Sequence, residues 1–275
     1  MNKIIKRIQF KNFWPAFYKG DLNDFWTELL RKFGYNFKIV NTNPDIIIFS
    51  VFGNQKHTIN PNINNIFFTG ENRRPVKDAD LNLTFDNSSQ YNNIRLPLWI
   101  LYGYNSKMVL SEKNNNNNFC CFVASNNVPN RNNFCKKLSN YKKIDCGGDC
   151  LNNIGGKVKN KIEFQKKYKF CIAYENSSHP GYTTEKILEA YKSNCIPIYY
   201  GSKTVTDDFN PETFINAHNF NNDDELINYI KKIDTNERLY KSFLNKPIFS
   251  DKWLEIFNDP EESYFKNMAH KIMIK

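Results

Sequence analysis

The chain lacks any long hydrophobic run. Its most apolar stretches, Asp45 to Phe52 (DIIIFSVF) and Ile66 to Phe68, fall far short of the ~20 residues a membrane-spanning helix requires. The first residues, MNKIIKRIQFKNFW, are basic but contain neither a continuous apolar core nor a small-residue cleavage site, so they do not read as a secretory leader. A cytoplasmic protein is expected. Seven cysteines make an odd number without framework spacing, which fits free thiols in a reducing compartment better than disulfides. The segment Cys146-Gly147-Gly148-Asp149-Cys150 lacks a second Cys or His pair at zinc-finger spacing, and Asp78-Ala79-Asp80 is an isolated Asp-x-Asp string. Neither predicts a metal site.

What is present is enough for two cores. In 275 residues, 40% are hydrophobic, which favours two compact domains over one. A net charge of +10 points to anionic partners, of which nucleic acid, a membrane surface and a phosphorylated small molecule are the candidates. Lys and Arg are dispersed rather than gathered in a stripe, so nucleic acid is not expected, while weak membrane-surface association is compatible with the charge. The abundant Asn reads as compositional bias in polar loops.

Short apolar segments alternate with amphipathic ones throughout, the pattern of α/β layers with largely parallel sheets. In the first half the expected strands are Ile4 to Phe10, Lys38 to Val40, Asp45 to Ser50, Ile66 to Thr69 and Leu81 to Phe85. A helix is expected from Leu22 to Phe33, with Phe25, Leu29, Leu30 and Phe33 on one face. The second half restarts at Phe119 to Ala124 and continues with a helix at Asn130 to Tyr141, a strand at Lys169 to Ala173, a helix at Thr184 to Asn194 and a strand at Ile196 to Tyr200. Helices near Asp223 to Ile233 and Asn236 to Leu244 follow. The only low-complexity segment, Lys113 to Asn118, separates the halves. The expected domains are therefore residues 1–113 and 119–251, joined by a linker at 114–118 and followed by a helical tail at 252–275, which by analogy with other two-domain chains packs back on the first domain.

Ligands of open α/β sheets bind beyond the carboxyl ends of the strands. The polar residues there are Gly70, Glu71, Asn72 and Arg73 after one strand, Ser125, Asn126, Asn127 and then Arg131 after another, and Tyr174, Glu175 and Asn176 after a third. Lys186 is expected in the first turn of its helix, where the dipole disfavours a cation by ~0.3–1 kcal/mol, and a bound diphosphate would offset that. Arg131 repeats the arrangement at a second helix.

The run Tyr174 to Gly201, YENSSHPGYTTEKILEAYKSNCIPIYYG, resembles the donor-binding motif of the α-1,3/4-fucosyltransferases, glycosyltransferase family ten. The similarity extends over Phe170 to Phe220 and to FKNFWPAF, PDIIIFSVFG, FFTGEN, RLPLW and FVASNN with Arg131, so it covers nearly the whole chain. The resemblance implies the GT-B architecture, two Rossmann-like domains facing each other across a cleft. It also implies Glu71 as general base, Arg131 and Lys186 on the donor phosphates, Glu185 near fucose and ribose hydroxyls, and Tyr182 and Asn176 as further donor contacts. Asn126 and Glu175 are neighbours of the donor site, and Trp14 and Phe17, with Trp99 and Tyr102, offer aromatic faces for an acceptor sugar. His179 reads as a loop residue of the motif.

The reaction implied is inverting transfer of L-fucose from GDP-β-L-fucose to a glycan hydroxyl, the 3-OH of N-acetylglucosamine, by single displacement. One carboxylate takes the acceptor proton, and cationic side chains stabilise departing GDP, so no cofactor and no essential divalent metal are expected. Two alternatives remain open: transfer of another sugar from a GDP-sugar, and a basic module that holds glycan or nucleic acid without turnover.

Overall fold

The computed structural model describes residues 5–19, 22–103 and 118–274. They divide into two compact α/β units, one formed by residues up to 103 with those from 255 onward, the other by 118–254. The expected linker at 114–118 lies outside the described residues except for Asn118, which opens a strand, and Ile4 of the first expected strand lies outside them too.

In the N-terminal unit, β1 (Lys6–Lys11), β2 (Phe37–Ile39), β3 (Ile46–Phe49), β4 (Asn64–Phe68), β5 (Leu81–Thr84) and β6 (Asn93–Arg95) form one parallel sheet in the order β2-β1-β3-β4-β5-β6. The central strands β3, β4 and β5 are buried at every position, as expected of a parallel sheet covered on both faces. Helix α1 (Leu22–Lys32) presents Phe25, Trp26, Leu29 and Leu30 to the core. Phe33, expected on that face, lies beyond the helix and is half-buried; the fully buried Trp26 takes its place. Helix α2 (Leu98–Gly103) buries Trp99, Ile100 and Leu101.

The C-terminal unit has a five-stranded parallel sheet of β7 (Asn118–Phe122), β8 (Ile144–Cys146), β9 (Tyr168–Tyr174), β10 (Ile196–Tyr200) and β11 (Ile215–Asn216), in the order β11-β10-β9-β7-β8. Pro197 is tolerated inside β10 because β11 pairs only at Ile198 and Tyr199, leaving Pro197 beside one hydrogen-bonded neighbour. Its helices are α3 (Pro129–Ser139), α4 (Lys161–Gln165), α5 (Glu185–Lys192), α6 (Asp223–Thr235) and α7 (Glu237–Lys241). All seven cysteines are free, buried and in this unit.

Helix α8 (Asp251–Asn258) leads into α9 (Ser263–Met273), which belongs to the N-terminal unit. Phe265, Met268, Ala269, Ile272 and Met273 of α9 are buried. Asn64 donates to the Ile272 carbonyl at 3.0 Å, Lys32 pairs with Glu262 at 2.6 Å, and Tyr264 donates to the Arg95 carbonyl.

Asparagine is more than loop filling. Asn64, Asn65, Asn82 and Asn93 are buried, and Asn82 both accepts from Val76 N–H at 2.7 Å and donates to the carbonyls of Val76 and Tyr91. Asn160, Asn222 and Asn236 cap α4, α6 and α7 by accepting from Glu163, Glu225 and Leu239 N–H at 3.1, 2.9 and 3.0 Å. The compositional reading is corrected accordingly: these side chains satisfy backbone groups that the sheets and helix ends leave open.

Met268→Ala is expected to lower the unfolding free energy of its unit by about 2–5 kcal/mol, and Asn222→Ala to cost ~1 kcal/mol, both read by urea denaturation. A Met268→Ala midpoint equal to wild type would mean that α9 does not seal that core.

Candidate functional site

The sheet order of the C-terminal unit reverses between β7 and β9: the chain goes from β7 outward to β8 and then returns to the other side of β7. At such a point two strand ends diverge and leave a crevice. The loops beyond β7 and β9 supply Asn126 and Asn176, and Arg131 ties them together. Its Nη1 donates to Asn176 Oδ1 at 2.9 Å and its Nη2 to the Asn126 carbonyl.

Arg131 stands in the first turn of α3, after Pro129 at the helix start, and no side chain caps that helix. It is 2% exposed, its Nε has no partner, and no carboxylate pairs with it among the described residues. Burial pulls its guanidinium below the ordinary arginine value, with Glu175 acting in the opposite direction. A buried cation at the positive end of a helix, lacking a counter-ion, is a site for an anion.

The loop from β7 is held in place by the segment after β8. Gly147 N–H donates to the Phe122 carbonyl at 3.0 Å, Cys150 N–H donates to the Ala124 carbonyl at 2.9 Å, and the Cys150 thiol donates to the Ser125 carbonyl at 3.2 Å. A Cβ on Gly148 would lie 2.2 Å from the Ala124 carbonyl oxygen, so only glycine allows this approach. The Cys146 to Cys150 segment thus has a structural role beneath Asn126.

Glu175 follows β9 and is wholly buried. Its Oε1 accepts from Thr184 N–H at 2.7 Å, and its Oε2 accepts from Thr184 Oγ1 at 2.7 Å and Lys186 Nζ at 2.9 Å. Lys186 also donates to Thr184 Oγ1 at 3.0 Å and lies 3.4 Å from Glu185. Burial pulls the Lys186 ammonium down, but Glu175 and Glu185 outweigh it and carry Lys186 above the ordinary lysine value. Burial drives Glu175 up while Lys186 and the Thr184 donors counter it; with three donors facing it, the carboxylate is the ionised partner of Lys186. For Glu185, burial is outweighed by Lys186 and Lys161, and its carboxyl is held below the usual range.

This corrects one expectation. A lysine in the first turn of α5 needs no external anion to be stable there, because Glu175 supplies one from within the fold. For Arg131 the expectation keeps its force. Tyr182 is buried, with its N–H donating to the His179 carbonyl at 3.0 Å, and His179 is half-buried in the same loop.

In the N-terminal unit the sheet order reverses between β1 and β3, and beside that point lies a pocket of about 940 Å³. Asn12, Ser50, Phe52, His57, Arg73 and Asp78 are among its lining residues. The Ser50 hydroxyl is buried without a partner, and His57 is 3.0 Å from Asn65 Oδ1 and lies over the Phe49 ring at 4.2 Å. Burial holds His57 below the ordinary histidine value. Glu71 is half-buried beyond β4, its N–H donating to Thr69 Oγ1 at 3.0 Å, and among the described residues no donor reaches its carboxylate.

Of the expected aromatic faces, Trp14 is half-buried and set edge-on to Phe52 at 5.6 Å. Phe17 is 1% exposed and stacked on Phe13 at 4.0 Å, so it is core and cannot face an acceptor. Trp99 is fully buried against Phe257 and is likewise core. The pocket residues Ser50 and His57 were not singled out from the sequence; a serine ending a fully apolar strand, PDIIIFS, was the available signal. Asp80 of the Asp78-Ala79-Asp80 string accepts from Asn65 N–H at 2.7 Å, an internal bond that closes the turn into β5.

Gly148→Ala is expected to destabilise the C-terminal unit by roughly 1–3 kcal/mol, seen as a lower Tm, whereas Gly156→Ala in the same loop, where an added Cβ meets nothing within 4 Å, leaves Tm nearly unchanged. Equal effects at the two positions would remove the buttressing role.

Residues 111–252 match the sequence profile of the C-terminal domain of glycosyltransferase family 10 (fucosyltransferase), and residues 8–102 match that of the FucT N-terminal domain of α-(1,3)-fucosyltransferase. The chain is 48% identical over 127 residues to the Helicobacter pylori α-(1,3)-fucosyltransferase FucT, covering 46% of this chain and 27% of that protein. It is 31% identical over 170 residues to the rat 4-galactosyl-N-acetylglucosaminide 3-α-L-fucosyltransferase 9, covering 60% of this chain and 46% of that one. It therefore spans less than half the length of these relatives. A crystal structure of an α1,3-fucosyltransferase with GDP-fucose superposes with a TM-score of 0.75 at 29% identity, over 96% of this chain and 90% of the other. Two parallel-sheet α/β units of the GT-B class, matched over both halves by these profiles, establish that the chain belongs to glycosyltransferase family 10, the fucosyltransferases.

Proposed function

We propose that the chain is an inverting α-1,3-fucosyltransferase that moves L-fucose from GDP-β-L-fucose to the 3-OH of an N-acetylglucosamine-containing glycan. The observation that carries the reading is Arg131: a buried guanidinium with a partnerless Nε, bridging the two strand-end loops at the switch point of the C-terminal sheet. A nucleoside diphosphate has the charge and oxygen density that such a group requires. GDP-fucose in a structure of similar fold supports the donor, and the names of the H. pylori and rat relatives support the linkage and the acceptor.

In this reading the acceptor hydroxyl loses its proton to the Glu71 carboxylate as its oxygen bonds to C1 of fucose. The C1–O bond to the β-phosphate breaks in the same displacement, inverting the anomeric centre, and the electron pair leaves with GDP. Arg131 meets the developing phosphate charge directly, while Lys186, already balanced by Glu175, contributes chiefly through its field. Asn176 orients Arg131, and Glu185 and Tyr182 belong to the sugar-facing part of the motif. The carboxylate and cations suffice for this chemistry, so the reading requires no metal or cofactor. The pocket at the N-terminal switch point, with Ser50 and His57, is assigned to the acceptor in place of Phe17. The seven free thiols fit a reducing, cytoplasmic setting.

Arg131→Met is expected to weaken GDP binding roughly 10- to 100-fold, measured by calorimetry. Glu71→Ala is expected to lower transfer by about 10²–10⁴-fold with GDP affinity retained, measured with labelled GDP-fucose against a glycan panel. Full transfer by Glu71→Ala would remove the assigned base. Wild-type protein that binds oligonucleotides with steep salt dependence and releases no GDP from GDP-fucose would overturn the enzymatic reading itself, and equal use of GDP-mannose would overturn the sugar assignment.

A further inference from the structure

The pocket beside the switch point of the N-terminal sheet has an apolar floor of Phe49 and Phe67, both buried, with Ile59 and Val76 packed against them. His57 belongs to its wall, and the proton on its ring can be placed from its neighbour Asn65. Asn65 Nδ2 lies 2.8 Å from the Asn60 carbonyl, 2.7 Å from the Ile63 carbonyl and 3.4 Å from Asp80 Oδ2, three groups that only accept. Its Oδ1 meets the Asn60 N–H at 3.4 Å, a group that only donates. The amide therefore has one orientation, and Oδ1 is the acceptor 3.0 Å from His57 Nε2. Nε2 must carry a hydrogen. Burial, helped by Lys11 and opposed by the Asn65 contact, holds the imidazole below the ordinary histidine value, so near neutral pH the ring is uncharged and Nδ1 keeps a bare lone pair. Among the described residues no donor reaches Nδ1, and the Ser50 hydroxyl of the same wall is buried without a partner. Polar groups left open above an apolar floor mark a site that a ligand completes.

We infer that His57 is a specificity-determining residue for the acceptor: its Nδ1 accepts the amide N–H of the 2-acetamido group, whose methyl lies on the Phe49 and Phe67 floor. The inference rests on the acceptor reading above and names the group that this pocket reads. Arg73, another lining residue, donates its N–H to the Glu71 carbonyl at 2.6 Å, so the pocket adjoins the loop that carries the assigned base. An acetamido group sits on the carbon next to the 3-OH, the place from which it would reach such a pocket while the hydroxyl meets the base. A plain hydroxyl at that carbon would also donate to Nδ1, yet it brings nothing to cover the apolar floor.

The test compares transfer from labelled GDP-fucose to 4-galactosyl-N-acetylglucosamine and to its 2-acetonyl isostere, in which a methylene replaces the amide N–H while the carbonyl and methyl stay. Wild type is expected to favour the amide about tenfold in kcat/KM, the difference that one hydrogen bond makes. His57→Phe keeps a ring against Phe49 and removes the nitrogen, so it is expected to lose that preference, with GDP affinity by calorimetry unchanged. A purely structural role would slow transfer to both acceptors alike and keep their ratio. That result overturns the inference, and so does wild type that uses the two acceptors equally. Should His57→Phe not unfold cooperatively, nitrogen NMR of the wild-type protein decides. His57 is expected as the Nε2–H tautomer, with its Nδ1 resonance moving when the amide acceptor is added with GDP and staying in place with the isostere. An Nδ1–H tautomer, or an Nδ1 resonance indifferent to the amide acceptor, overturns the inference. Wild type that transfers fucose to neither acceptor overturns the acceptor reading itself, and the inference falls with it.

Discussion

A carboxylate that water cannot reach is tolerated only where the protein surrounds it with donors, and Glu175 is such a group. Its two oxygens receive an amide, a hydroxyl and an ammonium, all from residues 184–186, so the end of β9 and the start of α5 are fixed to one another through a single side chain. A buried charge that loses its partner is far more costly than a buried pair that is kept, so the neighbours are as constrained as Glu175 itself. The network continues outward through Glu185 to Lys161, which pairs with Glu189 at 2.5 Å on the same helix. Positive and negative groups nearly cancel along this path. The uncompensated charge lies instead at Arg131.

Two ways of ending a helix therefore coexist in one unit. Away from the strand ends, asparagine side chains accept from helix-start N–H groups and donate to loop carbonyls. At α3 and α5 the N-cap side chain makes no such bond. Both helices follow strands that flank the reversal in sheet order, the place where chain topology itself leaves a crevice. Packing, capping and charge agree on the same location, and that agreement is more informative than any one of them.

The sequence made some of this legible and concealed the rest for physical reasons. Apolar runs such as IIIF and IPIYY announce buried parallel strands, and both were found at nearly their true limits. Strands β6, β8 and β11 have three residues or fewer, too short to show any period, and the sequence pattern does not reveal them. Phe17 and Trp99 read as ligand faces because an aromatic ring after a strand looks the same in sequence whether it points into solvent or core; only packing distinguishes them. Lys186 was legible as a cation at an unfavourable helix position, but its partner stands eleven residues earlier on another element, and no local rule finds it. The capping asparagines were hidden by abundance, since a residue common everywhere in a chain carries little signal where it matters.

The cysteines carry a consequence of their own. All seven lie between residues 120 and 195, every one is buried, and the N-terminal unit contains none. A thiol-reactive dye added to the native protein thus meets no accessible sulfur, and any labelling rate it records measures opening of the C-terminal unit alone. The fold thus carries a stability reporter confined to one half, so the opening of that half can be followed apart from the other without introducing a single probe.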